Sequence, residues 1–264
     1  MAAFGAVTFT AGSLMIPGTA SAAATHYVAL GDSYSSGVGA GSYDPAAGAC
    51  RRSANAYAKL WAAAHDTASF KFVACSGATT DDVTNRQLDA LGSSTTLVSI
   101  SVGGNDAGFA DVMQTCVLNS DSSCKSRVAQ AENYMNNILP DRLGSLYSKI
   151  RAKSPSARVV VLGYPRLYKI TTSCSGLSNV KRISLNSAAD TLAGVTAKAA
   201  GRAGFTWSDV RDEFSGHELC SGDDWINSVT WPLDDSYHPT ARGHRSGYLP
   251  ALTGSAGSSV KQDA

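Results

Sequence analysis

A set of short apolar runs, each closed by a small or polar turn, limits what this chain can become. Residues 27–30, Tyr-Val-Ala-Leu, run straight into Gly31-Asp32, which reads as a buried strand and its turn. Residues 159–162, Val-Val-Val-Leu, are apolar without a break, the mark of a strand covered on both faces. Residues 70–74, 97–102 and 205–207 read as three further strands. Helical stretches alternate with them. Residues 53–64 repeat apolar side chains at Tyr57, Leu60, Trp61 and Ala64, with Ser53 as the expected N-cap. Residues 125–153 are helical in pattern, with Pro140 expected to kink or split them. Residues 183–200 are Ala-rich and stop at Gly201 and Gly204, and residues 240–252 form an expected last helix. Strands that alternate with helices predict one α/β domain, a parallel sheet covered by helices on both faces. In such sheets the chemistry gathers at the carboxyl ends of the strands.

Composition narrows the partners. Of 264 residues, 16% are charged, and 22 Lys and Arg against 21 Asp and Glu leave a formal net charge of +1. That balance excludes a highly charged disordered chain and argues against nucleic-acid binding. Six cysteines stand at 50, 75, 116, 124, 174 and 220, with no C-x-x-C pair and no zinc-finger spacing. No metal site is expected, and disulfides fit if the chain is exported. An apolar stretch over residues 2–16 ends at Pro17-Gly18 and is followed by Ala20-Ser21-Ala22, an A-x-A cleavage pattern. Residues 1–22 are therefore expected to be a removable signal peptide rather than a membrane anchor, although they hold no basic residue. The domain is expected over 23–252, followed by a polar tail over 253–264.

Three strand ends and one late loop carry the candidate chemistry. Gly31-Asp32-Ser33-Tyr34 follows the first strand, Cys75-Ser76-Gly77 the second, and Gly103-Gly104-Asn105-Asp106 the third. Asp235-Ser236-Tyr237-His238 precedes the last helix. Together these residues suit acyl transfer. A serine hydroxyl needs a base within hydrogen-bond reach, and His238 is the candidate base for Ser33. A third group must hold the imidazole in the correct tautomer. Asp235, three residues before His238, is the favoured one, and the Ser236 backbone carbonyl is the alternative. Backbone N–H groups of Ser33 and Gly77 and the Asn105 amide are the candidate oxyanion donors. Asp32 is read as a brace for the nucleophile turn. Trp225, Trp231 and Tyr237 are read as either an acyl pocket or plain packing, and Phe109 likewise. Gly37-Val38-Gly39-Ala40-Gly41 lacks the dinucleotide-binding pattern and reads as a flexible loop at the mouth of the site.

The four blocks, Gly31-Asp32-Ser33-Tyr34, Gly77, Gly103-Gly104-Asn105-Asp106 and Asp235-x-x-His238, resemble those of the SGNH (GDSL-type) hydrolases. Residues 27–37 and the cysteine order look like the secreted lipases, esterases and phospholipases of actinomycetes. The resemblance implies a three-layer, flavodoxin-like fold with about five parallel strands. It implies Ser33 as nucleophile, His238 as base, and Ser33, Gly77 and Asn105 as the oxyanion hole. It also implies the pairs Cys50–Cys75, Cys116–Cys124 and Cys174–Cys220, one choice among the fifteen that six cysteines allow. Position 34 is Tyr where the family name has Leu. The expected function is a secreted serine esterase of lipid esters, monomeric and without a cofactor. A carbohydrate acetyl-esterase and a non-catalytic binding domain on the same fold are the alternatives. If His238 is the base, activity is expected to fall on acidification, between about pH 8 and 5 for an unperturbed imidazole.

Overall fold

The structure is a computed structural model that describes residues 1–3, 5 and 24–257. The expected signal peptide therefore falls almost wholly outside the described residues, as does most of the expected tail. Five parallel strands form one sheet: β1 (Thr25–Gly31), β2 (Thr67–Phe72), β3 (Leu97–Ser101), β4 (Arg158–Leu162) and β5 (Thr206–Ser208). Their order across the sheet is β2-β1-β3-β4-β5. The three central strands are the apolar ones, and every residue of β3 is buried. Aligned pairs such as Val28 with Val98 and Val98 with Val159 carry the core from strand to strand. The edge strand β2 alternates partly buried and exposed residues, as one wetted face requires.

The helices are α1 (Ser33–Ser36), α2 (Tyr57–Ala64), α3 (Thr80–Arg86), α4 (Phe109–Leu118), α5 (Asp121–Asn137), α6 (Leu139–Lys153), α7 (Asn179–Arg202) and α8 (Leu249–Ala256). One group, α2 with α8, packs on β2, β4 and β5; the other, α3 to α7, is led onto the sheet by α7. The result is the three-layer α/β fold.

Several expected boundaries change for physical reasons. The helix expected from residue 53 begins at Tyr57. Ser53 belongs instead to the preceding loop, where its hydroxyl donates to the Gly41 carbonyl at 2.5 Å. Pro140 splits residues 125–153 into α5 and α6, sitting in the first turn of α6 where no N–H is needed. The last helix opens as a π-turn over Gly243–Tyr248 before α8. It runs on to Ala256, past the expected domain end at 252. Helices α3 and α4 were not anticipated. The signal for α3 was present in Thr79-x-x-Asp82, a capping box whose reciprocal bonds form at 3.2 and 3.1 Å. The six cysteines pair as Cys50–Cys75, Cys116–Cys124 and Cys174–Cys220.

Candidate active site

The site is built first from the end of β1. Gly31 has φ +123°, and a Cβ there would run into the Ser101 carbonyl and the Ser35 side chain, so only glycine lets β1 turn so close to β3. The Gln87 side-chain amide brackets this residue. It accepts from Gly31 N–H at 2.8 Å and donates to the Gly31 carbonyl at 2.8 Å. Asp32 then caps α1 by accepting from Tyr34 N–H at 3.0 Å. Its carboxylate also accepts from the Ser101 hydroxyl at 2.8 Å and from the Tyr164 hydroxyl. Burial pushes this carboxyl up to about 6 in pKa, against the pull of those donors toward the charged form. Asp32 thus braces the turn, as expected, and its oxygens are engaged away from the Ser33 hydroxyl.

Ser33 is the first residue of α1, and its Oγ lies 2.8 Å from His238 Nε2. His238 Nδ1 lies 3.0 Å from the Ser236 carbonyl oxygen. A carbonyl can only accept, so Nδ1 carries the proton and Nε2 offers its lone pair to the Ser33 hydroxyl. Burial pushes the imidazole down to about 4 in pKa, a larger effect than the upward pull of the Ser236 carbonyl. The acid limb expected between pH 8 and 5 therefore moves to about pH 4.

The favoured orienting group is corrected by this geometry. Asp235 does not reach the His238 ring. Its carboxylate accepts from the Tyr43 hydroxyl at 2.7 Å and from the Arg51 guanidinium. Arg51 in turn spans to Asp234 at 3.2 Å and stacks 4.5 Å over the Tyr43 ring. After the short turn Leu233–Asp235 the Asp235 side chain is held, mostly buried, against Tyr43 and Arg51, and the Ser236 carbonyl faces the ring. The alternative of a backbone carbonyl is the one that the geometry favours.

Asn105 Nδ2 donates to the Ala78 carbonyl at 3.0 Å, which ties the amide to the loop that carries Gly77 and leaves it a second N–H. Ser33 and Asn105 line the same pocket. Gly77 has φ +78° with open space where a Cβ would stand. Asp106 fastens the two loops by accepting from Thr80 N–H at 3.0 Å and from its hydroxyl at 2.6 Å. The Cys50–Cys75 bridge lies two residues before Gly77, and Ser76 N–H donates to the Cys50 carbonyl at 3.1 Å.

Ser33 and Asn105 open onto a narrow pocket of about 60 Å³. Its walls are apolar: Ala107, Phe109 and Val112 from the Asn105 side, Ala131 and Met135 from α5, and Leu185, Ala188 and Leu192 from α7. Phe109 is thus a pocket residue. Trp225 and Tyr237 are buried elsewhere, Trp225 stacking on His217 at 3.6 Å, and Trp231 points into solvent. The Gly37–Gly41 loop is a packed element rather than a loose one. A Cβ on Gly39 would come within 2.8 Å of His238 Cβ and of the Pro239 carbonyl. Asn227 Nδ2 ties the Gly39 carbonyl to that of His238, at 3.0 Å from each. Tyr43, Arg51 and Asn227 were missed in the sequence because their partners lie some 180 to 190 residues away. Among the described residues no cluster of His, Cys, Asp and Glu suited to a metal is present, and no helix is long and apolar enough to cross a membrane.

The sequence pattern of the GDSL-like lipase/acylhydrolase family matches residues 29–246. The chain belongs to this family. The hydrolase is 59% identical over 236 residues to Lipase 1 of Streptomyces coelicolor, covering 89% of this chain and 88% of that one. It is 56% identical to a lipase of Streptomyces rimosus over 87% of this chain and 86% of that one. Among solved structures it superposes on phospholipase A1 of Streptomyces albidoflavus with a TM-score of 0.87 and 58% identity, covering 89% of this chain and all of that one. An acetylxylan esterase of Geobacillus stearothermophilus shares the fold at a TM-score of 0.52, with 14% identity over 90% of this chain and 96% of that one.

Proposed function

We propose that this carboxylic ester hydrolase cleaves lipid esters through an acyl-enzyme formed on Ser33. The observation that carries the reading is the chain from Ser33 Oγ to His238 Nε2 to the Ser236 carbonyl, at 2.8 and 3.0 Å. Ser33 Oγ attacks the ester carbonyl carbon while its proton passes to His238 Nε2. The carbonyl electrons move onto oxygen, among the Ser33 and Gly77 N–H groups and the Asn105 amide. Collapse expels the alcohol, which takes the proton from Nε2. Water then enters, gives a proton to His238 Nε2 and attacks the acyl carbon; as the fatty acid is released, that proton passes from Nε2 to Ser33 Oγ and restores the resting pair. The imidazolium formed in passing is stabilised by the Ser236 carbonyl, which accepts from Nδ1 throughout. No carboxylate is required at that position.

The mostly apolar lining of the pocket beside Asn105 suits an acyl chain and gives an acetylated sugar few hydrogen-bonding partners, which favours lipid esters over a carbohydrate acetyl-esterase. The names of the lipase and phospholipase relatives support the same substrate class. Three disulfides and the leader-like N-terminus support action outside the cell. A fluorophosphonate probe tests the site directly. Stoichiometric labelling that maps to Ser33 and disappears in Ser33→Ala is expected, and labelling that persists in that variant would refute the assignment. A panel of triglyceride, phospholipid and acetylated sugar tests the substrate class, with preference for the acetylated sugar as the refuting result.

A further inference from the structure

A large apolar side chain left in water calls for an explanation when others stand beside it. Trp231 is 84% exposed, Leu233 61% and Val229 55%, all within five residues. This segment is the one that carries the base. Pro232 and Leu233 carbonyls accept from Asp235 N–H and Ser236 N–H at 3.0 Å each, and the Ser236 carbonyl holds His238. Beyond Val229 the surface dips into a shallow depression floored by Tyr168 and Tyr237. The rest of its lining is mixed, with Leu177 and Leu219 beside Ser173, Lys181 and Asp224. The exposed apolar side chains at 229, 231 and 233 are therefore tied to the site through the segment that leads to His238. Between residues 225 and 238 the only acidic groups are Asp234 and Asp235, both paired with Arg51, and no Lys or Arg occurs. The segment itself thus holds no unpaired cation to grip anionic head groups, and it suits a surface that is neutral or zwitterionic.

We propose that residues 229–233 are the lipid-surface anchor of this enzyme, with Trp231 and Leu233 entering the boundary between head groups and acyl chains of a neutral or zwitterionic lipid surface. Tryptophan settles at that boundary because its ring is apolar and its N–H is not. Ester groups of glycerolipids lie at the same depth, so docking there brings the Ser33–His238 pair up to them. The identity of the occupant rests on the lipid-ester reading above, while the docking itself is measured without turnover.

The test compares wild type with W231S/L233S on phosphatidylcholine vesicles. Wild type is expected to cosediment with the vesicles and to shift its tryptophan emission to the blue. Binding should be unchanged between about 50 and 500 mM salt, because no charge pairing drives it. The double variant should lose at least about tenfold in partitioning, and as much in vesicle hydrolysis, while keeping its rate on water-soluble p-nitrophenyl butyrate within about twofold. Equal partitioning of the two proteins would overturn the proposal. So would a parallel loss on the soluble ester, which would make the segment a support for His238. A wild-type dimer that the double variant dissolves would assign the face to a second copy and overturn it too. Vesicle binding without hydrolysis of the lipid would refute the lipid-ester reading and leave the anchor standing.

Discussion

Ser33 and His238 meet at 2.8 Å, yet the two are held by different means. Ser33 stands on the end of a central strand. Its turn is surrounded by uncharged donors, Ser101, Tyr164 and the Gln87 amide, converging on Gly31 and Asp32. His238 stands on a long loop with no strand under it. That loop is held by side chains reaching across from the opposite end of the sequence: Tyr34, whose hydroxyl donates to the Tyr237 carbonyl at 2.7 Å, and Arg51 and Tyr43 on Asp235. Ser33 is placed by backbone and sheet, and His238 by clamps. Losing one clamp leaves others in place.

The largest expected effect tests the nucleophile end. Ser33→Ala should lower kcat on a chromogenic acyl ester by about 10³-fold or more with an unchanged unfolding transition, and retained turnover would end the assignment. Asn105→Ala should cost about 10²- to 10³-fold, chiefly in kcat, if its free N–H meets the oxyanion. A loss confined to KM would instead make Asn105 a pocket residue. Asp235→Asn probes the clamp. It keeps an acceptor for Tyr43 and removes the charge that faces Arg51, so the expected loss in kcat/KM is under about tenfold. A loss near 10⁴-fold, as when a true triad carboxylate is removed, would return Asp235 to the orienting role.

Acid provides the mildest test. The free-enzyme kcat/KM profile should stay level from about pH 8 to 5 and fall with an apparent pKa near the value of about 4 held by His238. A limb near pH 6.5 would mean that the ring is less buried than described. Stability has a wider window. The folded-state pKa values of His238 and His244 lie at about 4 and about 3, below the unfolded value near 6.5. Over that interval the unfolded chain binds more protons, so stability is lost as pH falls from about 6.5. Asp32, raised to about 6, acts with the opposite sign and partly offsets this loss between about pH 6 and 4. Thermal unfolding measured from pH 7 to 4 should therefore decline before activity does.

The same contrast explains what could be read from sequence. The sheet was legible because strands buried on both faces leave apolar runs, and the residues at their ends are local in sequence to those runs. Ser33, Gly77 and Asn105 became candidates that way. Helix α4 was missed because it starts without a side-chain cap, at Gly108 in the left-handed region. The geometry departs from the favoured Asp235 because three-residue spacing suggests one shared side, while the carboxylate is held by Tyr43 and Arg51 and the Ser236 carbonyl meets the ring. The carboxylate's partner Arg51 has no local signature. It becomes visible only when the Gly39 packing against His238 and Asn227 brings the two ends of the chain together.

The Gln87 bracket on Gly31 has a consequence of its own. A primary amide is the uncharged side chain that donates and accepts side by side, so at this position it does the work of one more residue of strand. Glutamate, one atom different, would lose the donor when ionised, and would have to hold a buried proton to keep it. The device that aims Ser33 is thus chemically deaf to acidity. Acid reaches its neighbours His238 and Asp32, whose pKa values burial shifts, and leaves the alignment of the strand beneath them untouched.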